Sequence, residues 1–168
     1  MNDATQELTA NDIMKVAVST VPSTLPLPDL ERQLLTANVS GFPVVDEGKL
    51  VGIVSRSDVV SQICAEREVA KETSDFYFDE SGFHESKMES FKDIADRVGE
   101  RIEGLKVGDV MTSNPHTIPL NCPISEIARQ IAKYRFHRLP VTDHGVLVGI
   151  VTTMDLVRLI ADKRFRQV

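Results

Sequence analysis

FHRLPVTDHGVLVGIVTTMD, residues 136–155, reads as strand, tight turn, strand and helix start. Leu139, Val141, Leu147, Val148, Ile150 and Val151 are strand formers. Asp143-His144-Gly145 is turn chemistry, with Gly145 free to take a positive φ. The second strand is nearly all apolar, which predicts burial on both faces. Thr152-Thr153-Met154-Asp155 then has the composition of a helix N-terminus, whose unpaired N–H groups suit an anion. His137-Arg138 before the hairpin, with Thr152 and Asp155 after it, pair a cation with a helix start. That pairing is the first pointer to a phosphate-bearing ligand.

The same stretch occurs twice. Pro43 matches Pro140, Asp46 matches Asp143, Gly52 matches Gly149 and Asp58 matches Asp155, every pair 97 residues apart. The register runs upstream without a gap, from Asp12 with Asp109 and Met14 with Met111 to Thr20 with Thr117 and Pro22 with Pro119. An ungapped repeat is one supersecondary unit used twice. Two copies are too few for a solenoid, so a pseudo-twofold pair is expected.

The 168 residues suffice for one domain or two small subdomains. At 42% hydrophobic and 26% charged, the composition is that of an ordinary globular protein. No apolar run approaches the ~20 residues of a membrane span. The first residues, MNDATQELTAND, are polar and acidic and unlike a signal peptide, so a cytoplasmic protein is expected. Cys64 and Cys122 form no C-x-x-C pair; buried thiols are expected. Residues 65–104 hold 12 Asp/Glu against 6 Lys/Arg and carry the whole net charge of −6. No basic face for nucleic acid follows from this, and no membrane partner is expected.

Taken in order, residues 9–15 read as a short helix, with Thr9 and Asp12 in capping spacing. A short strand over 18–21 should end at Pro22, and a helix should begin at Asp29. The first hairpin and a helix over 57–69 follow. Residues 73–85 break the periodicity; packing of their aromatics on the core is the plainer reading. A metal site around His84 has no spacing to support it. Met88, Phe91, Ile94, Val98, Ile102 and Leu105 make an amphipathic helix over 86–104, outside the repeat. In repeat two a strand is expected over 116–118 and a helix over 125–134 capped by Ser125. The last helix should run from Asp155 to about Arg164.

The double pattern D-[IV]-M, Thr-x-Pro, P-V-x-D and L-V-G-I-V-[ST]-x-x-D resembles the cystathionine-β-synthase (CBS) domain, and two in tandem resemble a CBS pair or Bateman module. The resemblance covers residues 10–64 and 106–162, leaving an acidic insert at 65–105. It implies an α/β (α+β) fold of two pseudo-symmetric β-α-β-β-α repeats packed sheet to sheet, with an inserted amphipathic helix. It also implies a regulatory module that binds an adenine nucleotide. AMP is the first expectation, with ADP, ATP or NAD as alternatives. The module would signal to a separate, unknown regulated protein, and a homodimer is implied.

By the same resemblance Asp58 and Asp155 hold ribose hydroxyls. Chemically this is sensible, because an ionised carboxylate can accept from two vicinal hydroxyls. Ser55 and Thr152 match the Ser/Thr that contact ribose or phosphate, and Thr20 and Thr117 the strand residue beside the base. Val39 and Gly41, and likewise Phe136 and Arg138, match the backbone positions that hold adenine. Against this stands helix capping: Ser55-x-x-Asp58 and Thr152-x-x-Asp155 have capping-box spacing, and a capped helix needs no ligand. The family's pseudo-symmetry would set Arg138 and His137 toward the ribose carboxylate of Asp58, and only Ser40 toward that of Asp155. No nucleophile–base pair with motif context occurs, so no catalytic residue and no metal ligand is expected. A ligand-independent dimeric interaction scaffold is the alternative.

Overall fold

Glu47 (φ 48°) and Gly48 (φ 78°), and again His144 (φ 48°) and Gly145 (φ 83°), close two hairpins. Positive φ at both central residues is the two-residue turn whose twist matches that of the flanking strands. The structure, a computed structural model, describes residues 7–79 and 91–162. Its elements are α1 (Ala10–Ile13), α2 (Leu27–Thr36), β1 (Gly41–Asp46), β2 (Lys49–Ser55), α3 (Arg56–Asp79) and α4 (Phe91–Glu103). There follow α5 (Val107–Val110), β3 (Thr112–Ser113), α6 (Ile124–Tyr134), β4 (Arg138–Asp143), β5 (Val146–Thr152) and α7 (Thr153–Ala161). The architecture is α+β with antiparallel sheets.

Contacts divide the chain into two compact units. The first gathers Met1–Thr20, Val45–Val51 and Asn114–Val168. Here β4 pairs antiparallel with β5, Arg138 opposite Thr152, with an irregularity after Val141. Ile118 adds a parallel bridge to Val141, and Lys15 an antiparallel one to Ile150. Ala10, Ile118, Cys122, Ile127, Ile131, Leu139, Val141 and Val151 form the core. Full burial of each large aliphatic among them contributes about 1.5–3 kcal/mol. Helix α1 thus packs on the core of repeat two: Ala10 N–H donates to the Cys122 carbonyl (2.8 Å), and Met14 lies against Gly149.

The second unit, Val21–Val44 with Gly52–Ser113, has the same plan. Its core includes Val21, Leu27, Leu30, Leu34, Phe42, Val44, Val54 and Val107. Val21 bridges Val44 in parallel, as Ile118 does Val141. β3 pairs with β2, Thr112 opposite Ile53, 97 residues from the Lys15–Ile150 bridge in the corresponding sense. Met111 lies on Gly52 as Met14 does on Gly149. The segment leading into each repeat therefore packs on the core of the other. Helix α4 lies on α2 and α3, and Arg101 Nε pairs with Glu66 Oε2 at 2.8 Å.

Several expectations are corrected. The strands over 18–21 and 116–118 reduce to single bridges at Val21 and Ile118, because Pro22 and Pro119 follow and cannot donate to a ladder. Helix α2 starts at Leu27 with Pro28 inside its first turn, where a missing N–H costs nothing. Helix α3 continues to Asp79; the Ala-Glu-Arg-Glu and Ala-Lys-Glu runs favour helix although the apolar period lapses. Ser125 does not cap α6: Pro123 holds the N-cap position, and the Ser125 N–H donates to Glu7 Oε1 at 3.2 Å. In β5 only Gly149, Ile150 and Val151 are buried. Helix α7 spans Thr153–Ala161, starting before Asp155 and stopping short of Arg164. Cys64 is exposed, whereas Cys122 is buried and burial pushes its thiol pKa up. The metal reading at His84, and the amphipathic helix over 86–90, lie outside the described residues.

Candidate functional site

In the first unit the residues singled out by sequence meet where the hairpin ends and α7 begins. Arg135 closes α6 in the left-handed conformation (φ 56°), and the Phe136 N–H returns to the Ile131 carbonyl (3.2 Å). The chain then enters β4 at Arg138, directly across from Thr152. The His137 carbonyl accepts from the Thr153 N–H (3.1 Å) and hydroxyl (3.3 Å), which ties the first turn of α7 to the strand entry. Asp155 is buried, and its Oδ2 accepts from the Thr152 N–H (2.8 Å) and hydroxyl (2.6 Å). Its Oδ1 accepts from Arg158 Nη1 at 3.3 Å. Arg138 is half-buried, and desolvation lowers its guanidinium pKa. Thr117 is exposed beside the buried Ile118.

The second unit repeats the arrangement with different side chains. Asp58 is half-buried; its Oδ2 accepts from the Ser55 N–H (2.7 Å) and hydroxyl (2.6 Å). The Arg56 N–H donates to the Ser40 carbonyl (3.0 Å), as Thr153 does to His137. Ser61 stands where repeat two has Arg158, and Asp58 Oδ1 accepts no hydrogen bond from a described residue. At Gly41 a Cβ would lie 2.5 Å from the Val54 carbonyl oxygen, so the backbone approaches more closely than any side chain allows. Val39 is half-buried just before it. Thr20, grouped with the first unit, is exposed beside Val21.

The capping expectation is therefore realised at both aspartates, each through one oxygen. The difference lies in the other oxygen: engaged by Arg158 in Asp155, and without a hydrogen bond from a described residue in Asp58. Asp58 and Arg138 fall in different units.

Sequence reading missed a group beside Phe136. The rings of His116, Tyr134 and Phe136 lie mutually close, with centroids 5.7, 5.5 and 5.4 Å apart. Gln130 donates to Glu126 Oε1 (3.0 Å), so its carbonyl faces His116 Nε2 at 2.8 Å. A carboxylate only accepts, which makes the Gln130 amide the donor there and leaves His116 Nε2–H the donor to its oxygen. An aromatic pair at i and i+2 was the available signal, but the reach back to His116, 18 and 20 residues earlier, was not readable. Among the described residues no group of three His, Cys, Asp or Glu side chains could hold a metal ion. No helix of the described residues is long and apolar enough to cross a membrane.

Comparison with known proteins bears on this geometry. The CBS-domain family matches residues 10–65 and 107–162. The uncharacterised protein MJ1426 of Methanocaldococcus jannaschii is 34% identical, over 87% of this chain and 87% of its own length. CBS domain-containing protein CBSX1, chloroplastic, of Arabidopsis thaliana is 33% identical over 77% of this chain; the match spans 54% of the plant protein, about half its length. Among solved structures, the CBSX2 complex with AMP, a protein of Arabidopsis thaliana, superposes with a TM-score of 0.67 at 24% identity, covering 93% of this chain and 98% of that one. A tandem-repeat α+β protein is the class that fold and site define. The chain belongs to the CBS-domain family, with two copies of the domain.

Proposed function

We propose that this chain is a regulatory adenine-nucleotide sensor, with repeats at 10–64 and 106–162, that signals to a separate partner protein. The observation that carries the reading is Asp58. It is a half-buried carboxylate at a helix start with one oxygen held by Ser55 and the other open among the described residues. Such a group can accept from ribose hydroxyls, and its partial burial makes the remaining desolvation smaller than for a fully exposed carboxylate. Ser55, Gly41 and Val39 complete the proposed nucleoside contacts in that unit. Thr152, Asp155, Phe136 and Thr117 are their counterparts in the other, and Thr20 is proposed beside a base. Arg138, with His137, is the proposed phosphate contact: a partly desolvated guanidinium offers a planar fork at reduced desolvation cost. AMP is the first ligand to test, since a related fold has been solved with it; ADP, ATP and NAD share its adenosine.

The module is proposed to act as a cytoplasmic homodimer. Val60 and Ile63 on α3, and Val157 and Ile160 on α7, are exposed apolar residues at matching repeat positions. Calorimetry of ligand-stripped protein with adenosine, AMP and ATP tests the binding reading. Saturable binding of AMP supports it. No heat and no thermal shift with any of the three moves the reading to a ligand-independent scaffold.

A further inference from the structure

Two methionines hold the same place in the two repeats. Met14 follows α1 and Met111 follows α5, 97 residues apart. We propose that Met14 and Met111 are a matched pair of oxidation sites, through which a peroxide loosens each leading segment from the core it packs on. The proposal is independent of the nucleotide reading above.

The seat of each thioether carries it. A Cβ at Gly149 would lie 2.4 Å from Met14 Sδ, and one at Gly52 2.5 Å from Met111 Sδ. Each sulfur therefore fills the space that a side chain on the facing strand would take, and the seat exists only because that strand carries glycine. The residue after each methionine is bonded to the same strand. The Lys15 N–H donates to the Ile150 carbonyl (2.9 Å) and the Ile150 N–H to the Lys15 carbonyl (3.0 Å), and Thr112 pairs with Ile53 in the other unit. Neither methionine is sealed in the core: both are half-buried. In the step, Sδ gives two electrons to hydrogen peroxide. The O–O bond breaks, one oxygen bonds to sulfur, and the other leaves as water with both protons. The sulfoxide oxygen accepts hydrogen bonds and donates none. The nearest main-chain atom across from each glycine is the carbonyl oxygen of Lys15 or Thr112, 3.1 Å from the same Cβ position, and it too only accepts. A seat that suits an apolar thioether thus gives the new oxygen an acceptor where it needs a donor, and burying it there is unfavourable.

Cys64 is exposed, so Cys64→Ser serves as the background. Hydrogen peroxide should convert Met14 and Met111 to the sulfoxide, as read by peptide mass mapping. It should lower the melting temperature by about 2–4 °C or more and selectively remove hydrogen-exchange protection at Lys15 and Ile150. Methionine sulfoxide reductases of both epimer specificities should restore melting and protection. Met14→Leu with Met111→Leu keeps apolar volume without an oxidisable sulfur. That variant should resist the treatment even though Met154, which is 56% exposed, still oxidises. If the double variant does not fold, Met14→Leu alone should keep protection at Lys15 and Ile150 under peroxide. Met14 and Met111 left unoxidised in the folded protein, sulfoxide at both with melting and exchange unchanged, or an equal response in the leucine variants overturns the proposal.

Discussion

Arg158 occupies one oxygen of Asp155, and the equivalent Ser61 leaves Asp58 without that neighbour. In Arg158→Ser the second carboxylate becomes like the first. Arg158 is 61% exposed, so the lost ion pair should change stability by only about 0–1 kcal/mol. The expected gain is in binding: a second, tighter AMP site resolved by calorimetry. Asp58→Ala removes a charge-assisted contact worth about 1.5–3 kcal/mol, roughly tenfold or more in affinity for adenosine and AMP alike. It also removes the hydrogen bonds at the start of α3, at about 0.5–2 kcal/mol of stability, so melting of the unliganded variant is measured alongside. Arg138→Ala should weaken AMP far more than adenosine; equal losses would contradict the phosphate role. At Gly41 even a methyl meets the Val54 carbonyl, and Gly41→Ala should cost about 1–3 kcal/mol in chemical denaturation. The capping contacts of Asp58 with Ser55 and of Asp155 with Thr152 were legible in the sequence because a capping box demands that spacing. The occupancy of each second oxygen was not, because it depends on which way the side chain three residues on is turned.

Among the elements, α1 is fastened by carboxylates. Asp12 accepts from the Thr9 N–H and hydroxyl, both at 2.8 Å, and Glu7 from Ser125. Hydrogen bonds from the Thr9 backbone and side chain lower the Asp12 pKa, and those from Ser125 lower that of Glu7. A carboxylate depressed in the folded state stabilises fully above its unfolded pKa, and that contribution is lost as pH falls through the folded value. Attachment of α1 should therefore loosen below about pH 4, where unfolded carboxylates begin to protonate. A selective loss of hydrogen-exchange protection at Ala10 and Ser125 on acidification, relative to the intrinsic rate at each pH, fits this; protection unchanged down to pH 3 contradicts it. The hairpins were legible, since turn chemistry at Asp143-His144-Gly145 separates two runs of strand formers, although β5 is buried over only three residues. Pro28 misled, because a proline breaks a helix interior but suits its first turn. The length of α3 misled for the opposite reason: intrinsic propensity carries a helix past the point where its apolar period ends.

At the scale of the whole molecule, one repeat used twice accounts for most of the buried residues among those described, and the 97-residue register made that legible without a structure. What the register could not show is the exchange, in which Met14 packs on Gly149 and Met111 on Gly52. Both partners of each contact appear in the motif, but nothing in the sequence says which copy each one meets. Exposed Val60, Ile63, Val157 and Ile160 should be covered in a homodimer, and sedimentation at micromolar concentration should show one; a monomer throughout would remove the assembly proposal. A ligand that binds only the folded chain stabilises it by about 2.7 kcal/mol at a hundred times its Kd. A regulatory output requires further that it bind one functional state of the complex better than another. The most direct measurement is calorimetric titration of ligand-stripped, folded protein with AMP, on the wild type and on Asp58→Ala. The sensor reading requires saturable binding by the wild type and a loss of about tenfold or more in the variant. Binding that is absent in the wild type, or unchanged in a folded Asp58→Ala, would contradict it.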